Sequence, residues 1–127
     1  MKIIVFGGAG FLGSHVCDKL SDAGHSVSIF DLVESKWLRP DQKMLIGNIL
    51  DIEAVEKAIL GADIVFNYAG IADLEEAMNK PRETVEVNIL GNTNILEACR
   101  KSNVKRYIFA STIYVYSQHG GFYRCSK

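Results

Sequence analysis

The chain has 127 residues, which is enough for one domain and too few for two. Apolar residues make up 48% and charged residues 23% of it, and these ordinary globular values exclude a disordered tail or a disulfide-dense miniprotein. The 14 basic and 15 acidic side chains nearly cancel, so we expect neither nucleic acid nor an anionic membrane as a partner.

Apolar runs of strand type alternate with helical patterns along the whole chain. The predicted strands are the β-branched or alternating segments 2–6, 26–30, 44–46, 63–66 and 107–110. The predicted helices cover about 11–23, then 52–59 after a capping Asp51, and a long stretch that begins near Pro81. Strands that alternate with helices in this way predict an α/β fold, with a doubly wound parallel sheet between two layers of helices.

The cysteines and the N-terminus indicate where such a chain works. Cys17, Cys99 and Cys125 are widely spaced and lack the spacing of metal ligands, which predicts reduced thiols, no metal site and a cytoplasmic location. Glycines interrupt the N-terminal apolar run, and no cleavage site for a signal peptide follows it. We therefore expect neither a leader nor a membrane-spanning segment.

The strongest local signal lies between the first strand and the first helix, in the segment Gly7-Gly8-Ala9-Gly10-Phe11-Leu12-Gly13. A glycine turn at such a position lets the backbone approach a pyrophosphate, and the helix N-terminus offers free N–H groups to the anion. Asp31 ends the second strand 18 residues after Gly13, where a carboxylate accepts the ribose hydroxyls of NAD. The pattern predicts a Rossmann-type NAD site formed by Gly7, Gly10, Phe11, Leu12, Gly13 and Asp31.

Asp31 also bears on the choice between the two nicotinamide coenzymes. Its carboxylate would repel the 2′-phosphate of NADP, which favours NAD. Lys36 and Arg39 follow in the next loop, however, and either cation could accept that phosphate. The sequence therefore favours NAD and leaves NADP open.

With these residues, the chain resembles the extended short-chain dehydrogenase/reductases, a group that includes NAD-dependent sugar-nucleotide epimerases and dehydratases. The resemblance runs from Met1 to Lys127 and rests on the glycine spacing together with Asn88-Ile89-Leu90-Gly91 in the long helix. It implies further cofactor contacts after the third strand, in the turn after the fourth strand and in the long helix, from Asn48, Ile49, Asn67, Ala69, Gly70 and Asn88.

The resemblance also implies a catalytic trio, namely Thr112 at the end of the fifth strand and Tyr123 and Lys127 in a Tyr-x-x-x-Lys pattern. Residues four apart lie on one helical face, so the ammonium of Lys127 would favour the ionised form of Tyr123 and hold the nicotinamide ribose. Tyr123 would act as general base on a sugar hydroxyl that Thr112 orients. Ile113-Tyr114 follows Thr112 where dehydratases and decarboxylases carry an acid, which disfavours those two reactions.

Family members run to more than twice this length, so the resemblance implies that residues 1–127 form an incomplete Rossmann domain. Its sheet would stop after the fifth strand, and the substrate domain would be absent. Tyr123 and Lys127 would then lie in a frayed terminus, since a short helix is costly to nucleate. We expect the pair to be disordered or misplaced in this chain alone.

The predicted function is therefore that of the NAD-binding part of a nucleotide-sugar epimerase or oxidoreductase, with little or no turnover by the 127-residue chain itself. Two alternatives stay open: a non-catalytic NAD-binding sensor, and a reductase of a non-sugar carbonyl. The apolar stripe of the long helix from Pro81 invites self-association, so we expect a homodimer.

Overall fold

The computed structural model describes all residues, 1–127, and its centre is one parallel sheet of five strands. The strands are β1 (Lys2–Phe6), β2 (Ser26–Asp31), β3 (Gln42–Ile46), β4 (Ile64–Asn67) and β5 (Arg106–Phe109). They lie in the order β3-β2-β1-β4-β5, and every pairing is parallel. The predicted α/β fold with a doubly wound sheet is confirmed.

Six α-helices and two turns of other helical type connect the strands. The helices are α1 (Phe11–Asp22), α2 (Ile52–Ile59), α3 (Leu74–Asn79), α4 (Pro81–Val85), α5 (Asn92–Lys101) and α6 (Gly121–Cys125). A π-helical turn (Glu86–Gly91) joins α4 to α5, and a 3₁₀ turn (Ile113–Tyr116) precedes α6. None of these helices is both long and apolar enough to cross a lipid bilayer.

The hydrophobic core lies on both faces of the sheet, because successive side chains of a strand point to opposite sides. On one face Ile4 and Phe6 of β1 pack with apolar residues of α2 and α5. On the other face Ile3 and Val5 pack with Cys17 of α1. Burial on both faces explains why β1 is a continuous apolar run rather than an alternating one.

The element boundaries differ from the predicted ones in particular places. β3 begins at Gln42, two residues early, because the buried Gln42 amide donates hydrogen bonds to Asp18 and Ser21 of α1. β4 lies one residue later than predicted and β5 one residue earlier. The long helix is interrupted by the π-helical turn, and α3 was not predicted as a separate element; Asp73 caps it by accepting the Glu76 N–H.

The chain order of the strands creates a crevice at one edge of the sheet. α1 leads from β1 to β2 on one face, whereas α2 leads from β3 back to β4 on the opposite face. β1 therefore has β2 on one side and β4 on the other. In open α/β sheets ligands bind outside the carboxyl ends of the strands where the order reverses, which is here between β1 and β4.

Candidate cofactor-binding site

A crevice of about 560 Å³ lies at the carboxyl ends of β1, β2 and β4. Its lining includes most of the predicted cofactor residues that precede α3: Gly7, Gly10, Asp31, Asn48, Ile49, Ala69 and Gly70. Leu32 and Val33 extend the lining on one side, and Tyr68 and Ile71 extend it on the other. Residues from four separate loops thus meet around one space.

Two of the three motif glycines are required by the packing of the protein itself. Gly7 has a positive φ of +75°, and a Cβ there would lie 2.5 Å from the backbone nitrogen of Ala69. A Cβ on Gly13 would lie 2.2 Å from the Gly7 carbonyl oxygen. These contacts hold α1 tightly on β1 and bring the turn after β4 against the turn after β1.

Gly10 differs from its two neighbours in the motif. Its φ of −76° and ψ of 174° are open to any residue, and a Cβ there would meet only the Gly7 carbonyl oxygen, at 3.4 Å. Protein packing therefore does not require glycine at this position. A side chain there would instead occupy part of the crevice in front of α1, and its absence leaves room for a ligand to approach the backbone.

The first turn of α1 directly follows Gly10 and has unpaired donors, although its predicted contact residues Phe11, Leu12 and Gly13 are not part of the crevice lining. The N–H groups of Phe11, Leu12 and Gly13 have no acceptor within the chain, and Gly10 supplies no side-chain cap. A helix N-terminus also carries a partial positive charge. Donors and charge together suit an anion such as a diphosphate.

Asp31 lies at the end of β2, on the crevice wall. Its Oδ2 accepts the Ala9 N–H at 3.0 Å, and its Oδ1 accepts the Leu32 N–H at 2.7 Å. Each carboxylate oxygen has a second lone pair for a ligand hydroxyl. The carboxylate is therefore held toward the glycine turn and still able to accept hydrogen bonds from a ribose.

Lys36 and Arg39, the two cations that could have accepted the 2′-phosphate of NADP, do not line the crevice. Arg39 donates to Asp22 at 2.7 Å and to Asp41 at 3.0 Å, away from the crevice. Lys36 is exposed and is not part of the crevice lining. Next to Asp31 the crevice is lined by the apolar Leu32 and Val33, with neither of these two cations.

Asn48 and Ile49 form the wall beyond Asp31. The Asn48 Oδ1 accepts the Leu50 N–H at 2.9 Å, so its amide NH₂ is the group left to donate to a ligand. Ile49 is buried against Gly91, and its carbonyl accepts a hydrogen bond from Asn94. This wall is anchored to α5, although 45 residues separate Ile49 from Asn94.

Two predicted contact residues, Asn67 and Asn88, lie behind the crevice and not in its lining. The Asn67 Oδ1 accepts the Ala69 N–H at 3.0 Å. Asn88 bonds both the N–H and the carbonyl of Ile71, at 2.8 and 2.9 Å, and also donates to Ser126 Oγ. Both side chains therefore hold the turn after β4 in place, and their direct contact with a cofactor stays a prediction.

The predicted catalytic residues gather near the Gly70 end of the crevice. The Tyr123 ring lies edge-on to Tyr114, with 6.3 Å between ring centroids, and Thr112 Oγ1 accepts the Tyr114 N–H. Lys127 Nζ lies 6.0 Å from the centre of the Tyr123 ring, and a Cβ on Gly70 would be 3.2 Å from it. The fold thus brings the three predicted residues to one region.

Lys127 lies two residues beyond the end of α6, whereas the family resemblance implied one helix that holds both Tyr123 and Lys127. Its ammonium lies 5.0 Å from the centre of the Phe109 ring, and burial lowers its pKa. The buried Ser126 joins this terminus to Asn88. α6 has only five residues, and the expectation that the pair is disordered or misplaced in this chain alone stays a prediction.

Sequence reasoning missed the apolar lining and the residues behind the wall. Leu32 and Val33 follow Asp31 directly, so their place in the chain was a usable signal. Tyr107 and Asn92 gave no such signal, since their importance rests on hydrogen bonds to Asn67 from 40 and 25 residues away.

Comparison with known proteins agrees with this geometry. Residues 3–124 match the sequence model of the NAD dependent epimerase/dehydratase family. The chain belongs to that family. It is 34% identical to a UDP-glucose 4-epimerase of Klebsiella pneumoniae, over 91% of this chain and 92% of that protein.

Two other family relatives are much longer. A UDP-N-acetyl-alpha-D-glucosaminuronate decarboxylase of Bacillus cytotoxicus is 36% identical, over 92% of this chain and 38% of its own length. The crystal structure of Thermus thermophilus UDP-glucose 4-epimerase in complex with NAD superimposes with a TM-score of 0.85 at 33% identity, over 88% of this chain and 38% of that one. This member of the family thus spans less than two fifths of the length of these relatives.

Proposed function

We propose that residues 1–127 form the NAD-binding domain of an enzyme that transfers hydride at a carbinol carbon of a nucleotide sugar. One observation carries the proposal: Gly10 and the Asp31 carboxylate line the same crevice, and Gly10 directly precedes the unpaired N–H groups of α1. The protein's own packing does not explain the missing side chain at position 10, whereas a bound diphosphate does.

The crevice has two distinguishable ends. At the Asp31 end a carboxylate can accept ribose hydroxyls, and Arg39, bonded to Asp22, does not offer a site for a 2′-phosphate. At the other end Gly70 lies beside Lys127. We therefore place the adenosine at the first end and the nicotinamide at the second, and infer a preference for NAD over NADP.

The reactive end of the crevice defines the roles of the catalytic residues. When bound, NAD supplies a hydride acceptor. Tyr123 takes the proton from the substrate hydroxyl, the ammonium of the half-buried Lys127 favours the phenolate, and Thr112 orients the substrate oxygen. Ile113 follows Thr112 and offers no carboxylate for a further proton transfer, so we propose oxidation and reduction or epimerisation rather than dehydration or decarboxylation.

Isothermal titration of the chain with NAD and with NADP tests the cofactor assignment. We expect NAD to bind at least tenfold more tightly, and Asp31→Ala to remove most of that difference, because the variant loses both the ribose acceptor and the charge that repels phosphate. Arg39→Ala is the control and should leave the preference unchanged, since Arg39 is bonded to Asp22 and Asp41. Equal affinities of the wild-type chain for the two coenzymes would contradict the proposal.

The substrate class is tested separately by incubating the chain with NAD and UDP-glucose. Both the NADH absorbance at about 340 nm and the conversion of the sugar to its epimer are followed, because epimerisation returns the hydride to the sugar and gives no net NADH. We expect little or no steady-state turnover by the 127-residue chain, because relatives such as the decarboxylase and the epimerase above use more than twice this length. Sustained turnover would refute the proposal that these residues are the cofactor-binding part alone. Turnover of a hydrophobic secondary alcohol in place of the sugar would favour the alternative, a non-sugar carbonyl reductase.

We also propose that the protein is a homodimer and works in the cytoplasm. Val85, Ile89 and Leu96 are each at least two fifths exposed along the helical stretch from α4 to α5. Such an apolar stripe on a helix is suited to pairing with a second copy of itself. The cytoplasmic location is supported by the three unpaired cysteines, of which Cys125 is exposed.

A further inference from the structure

A closed triangle of hydrogen bonds lies behind the nicotinamide end of the crevice. The Asn67 Nδ2 donates to the Asn92 Oδ1 at 3.0 Å and to the Tyr107 hydroxyl at 2.9 Å. The Tyr107 hydroxyl in turn donates to the Asn92 Oδ1. The three residues come from the end of β4, the start of α5 and the middle of β5, so the triangle ties three elements together.

The triangle is partly buried, since Asn92 and Tyr107 are half-buried, and its hydrogen-bonding groups are matched. Asn67 is only 1% exposed, and both hydrogens of its amide are used within the triangle. Burial raises the pKa of Tyr107 to about 12, so its hydroxyl keeps the proton that it donates to Asn92. In such a network the loss of one partner leaves another buried polar group unsatisfied.

The remaining group of Asn67 connects the triangle to the crevice. Its Oδ1 accepts the Ala69 N–H, and Ala69 lies so close to Gly7 that a Cβ on Gly7 would be 2.5 Å from the Ala69 nitrogen. The position of the Asn67 side chain therefore determines how the turn after β4 sits against the glycine turn. Ala69 and Gly70 line the crevice, whereas Asn92 and Tyr107 do not.

We propose that Asn92 and Tyr107 are positioning residues that act through Asn67 to hold the Ala69–Gly70 wall for the nicotinamide half of the cofactor. The inference rests on the proposed function, because it assigns a ligand half to that wall. The proposal predicts that weakening the triangle reduces the affinity for NAD and leaves the affinity for ADP unchanged. ADP needs only the N-terminus of α1 and Asp31, neither of which touches the triangle.

The test is isothermal titration of the wild-type chain and Tyr107→Phe with NAD and with ADP. The variant removes one oxygen and keeps the ring that stacks on Phe109. We expect NAD to bind about five- to tenfold more weakly, which corresponds to one lost hydrogen bond, and ADP to bind within about twofold of wild type. Thr93→Val is the control: it removes a hydroxyl on α5 that donates to the Ile89 carbonyl and lies outside the triangle, and both affinities should stay unchanged.

A second pair of variants keeps the test decisive if Tyr107→Phe folds poorly. Asn92→Asp retains an oxygen that accepts both hydrogen bonds and replaces an amide nitrogen that bonds nothing in the chain. The two donors stabilise the new carboxylate charge, so NAD affinity should stay within about twofold. Asn92→Leu should behave as expected for Tyr107→Phe. Equal losses of NAD affinity in both Asn92 variants would overturn the proposal.

The two ligands separate the positioning role from general stability and from the proposed function. If Tyr107→Phe weakens NAD and ADP equally, or changes neither, the triangle only supports the fold and the positioning role is wrong. If the wild-type chain binds neither ligand, the proposed function fails, and the positioning role fails with it.

Discussion

The three motif glycines allow a direct test of which positions serve the fold and which serve a ligand. Gly13→Ala would place a Cβ 2.2 Å from the Gly7 carbonyl oxygen and 2.8 Å from the Gly8 Cα, and both of these are backbone atoms. α1 would have to move away from β1 by about 1 Å, whereas Gly10→Ala meets only one atom at 3.4 Å. Both substitutions add the same methyl group, so any difference between their effects comes from the protein environment of that methyl group.

The expected magnitudes follow from these distances. Overpacking of this kind costs about 3 kcal/mol, and the better helix propensity of Ala returns about 1 kcal/mol, so Gly13→Ala should lower the free energy of unfolding by roughly 2 kcal/mol. For a domain of this size the Tm falls by roughly 6–10 °C. Gly10→Ala should change stability by less than about 0.5 kcal/mol, because the lower entropy of the unfolded chain offsets a slightly poorer N-cap.

For NAD binding we expect the larger direct effect from Gly10→Ala, although this variant changes stability less than Gly13→Ala. The methyl group of Gly10→Ala displaces the diphosphate from the α1 donors, and losing one charge-assisted hydrogen bond should weaken NAD at least about tenfold at nearly unchanged Tm. Thermal unfolding by circular dichroism and titration calorimetry measure the two quantities. Gly61→Ala is the control: Gly61 has a φ of +77° with no atom near, so the variant should lose stability and keep its affinity. A Gly10→Ala chain that binds NAD like wild type would refute the reasoning.

Two further predictions concern charge and assembly. A hydrogen bond from Lys105 holds the pKa of Asp63 below its ordinary 3.8, so the stability that this carboxylate adds is present above about pH 4 and lost as pH falls. The Tm difference between wild type and Asp63→Asn should therefore shrink from about pH 7 to about pH 2.5, and a constant difference would contradict it. Replacing Ile89 and Leu96 together by Ser should shift the mass measured by light scattering from that of a dimer to that of a monomer. Leu60→Ser is the control, because Leu60 is also apolar and exposed but lies outside this stripe, and it should not change the mass. A wild-type chain that is monomeric would exclude this dimer.

Some features of this protein were fixed by residues close together in the sequence. The alternation of apolar strands with helical patterns determined the sheet, because burial on both faces demands continuous apolar runs such as β1. The glycine turn and Asp31 could also be predicted from the sequence, because a strand, a tight turn and a helix N-terminus follow one another within about 30 residues. Their meeting at one crevice follows from the parallel order of the strands.

Other features depended on contacts between distant parts of the chain. Tertiary structure placed Asn67 and Asn88 behind the crevice wall, where their amides bond partners up to 40 residues away. It also directed Arg39 to Asp22 on α1 instead of toward the crevice. A side chain's residue type sets which hydrogen bonds it can make, but only the packing of separate elements decides which partners are within reach.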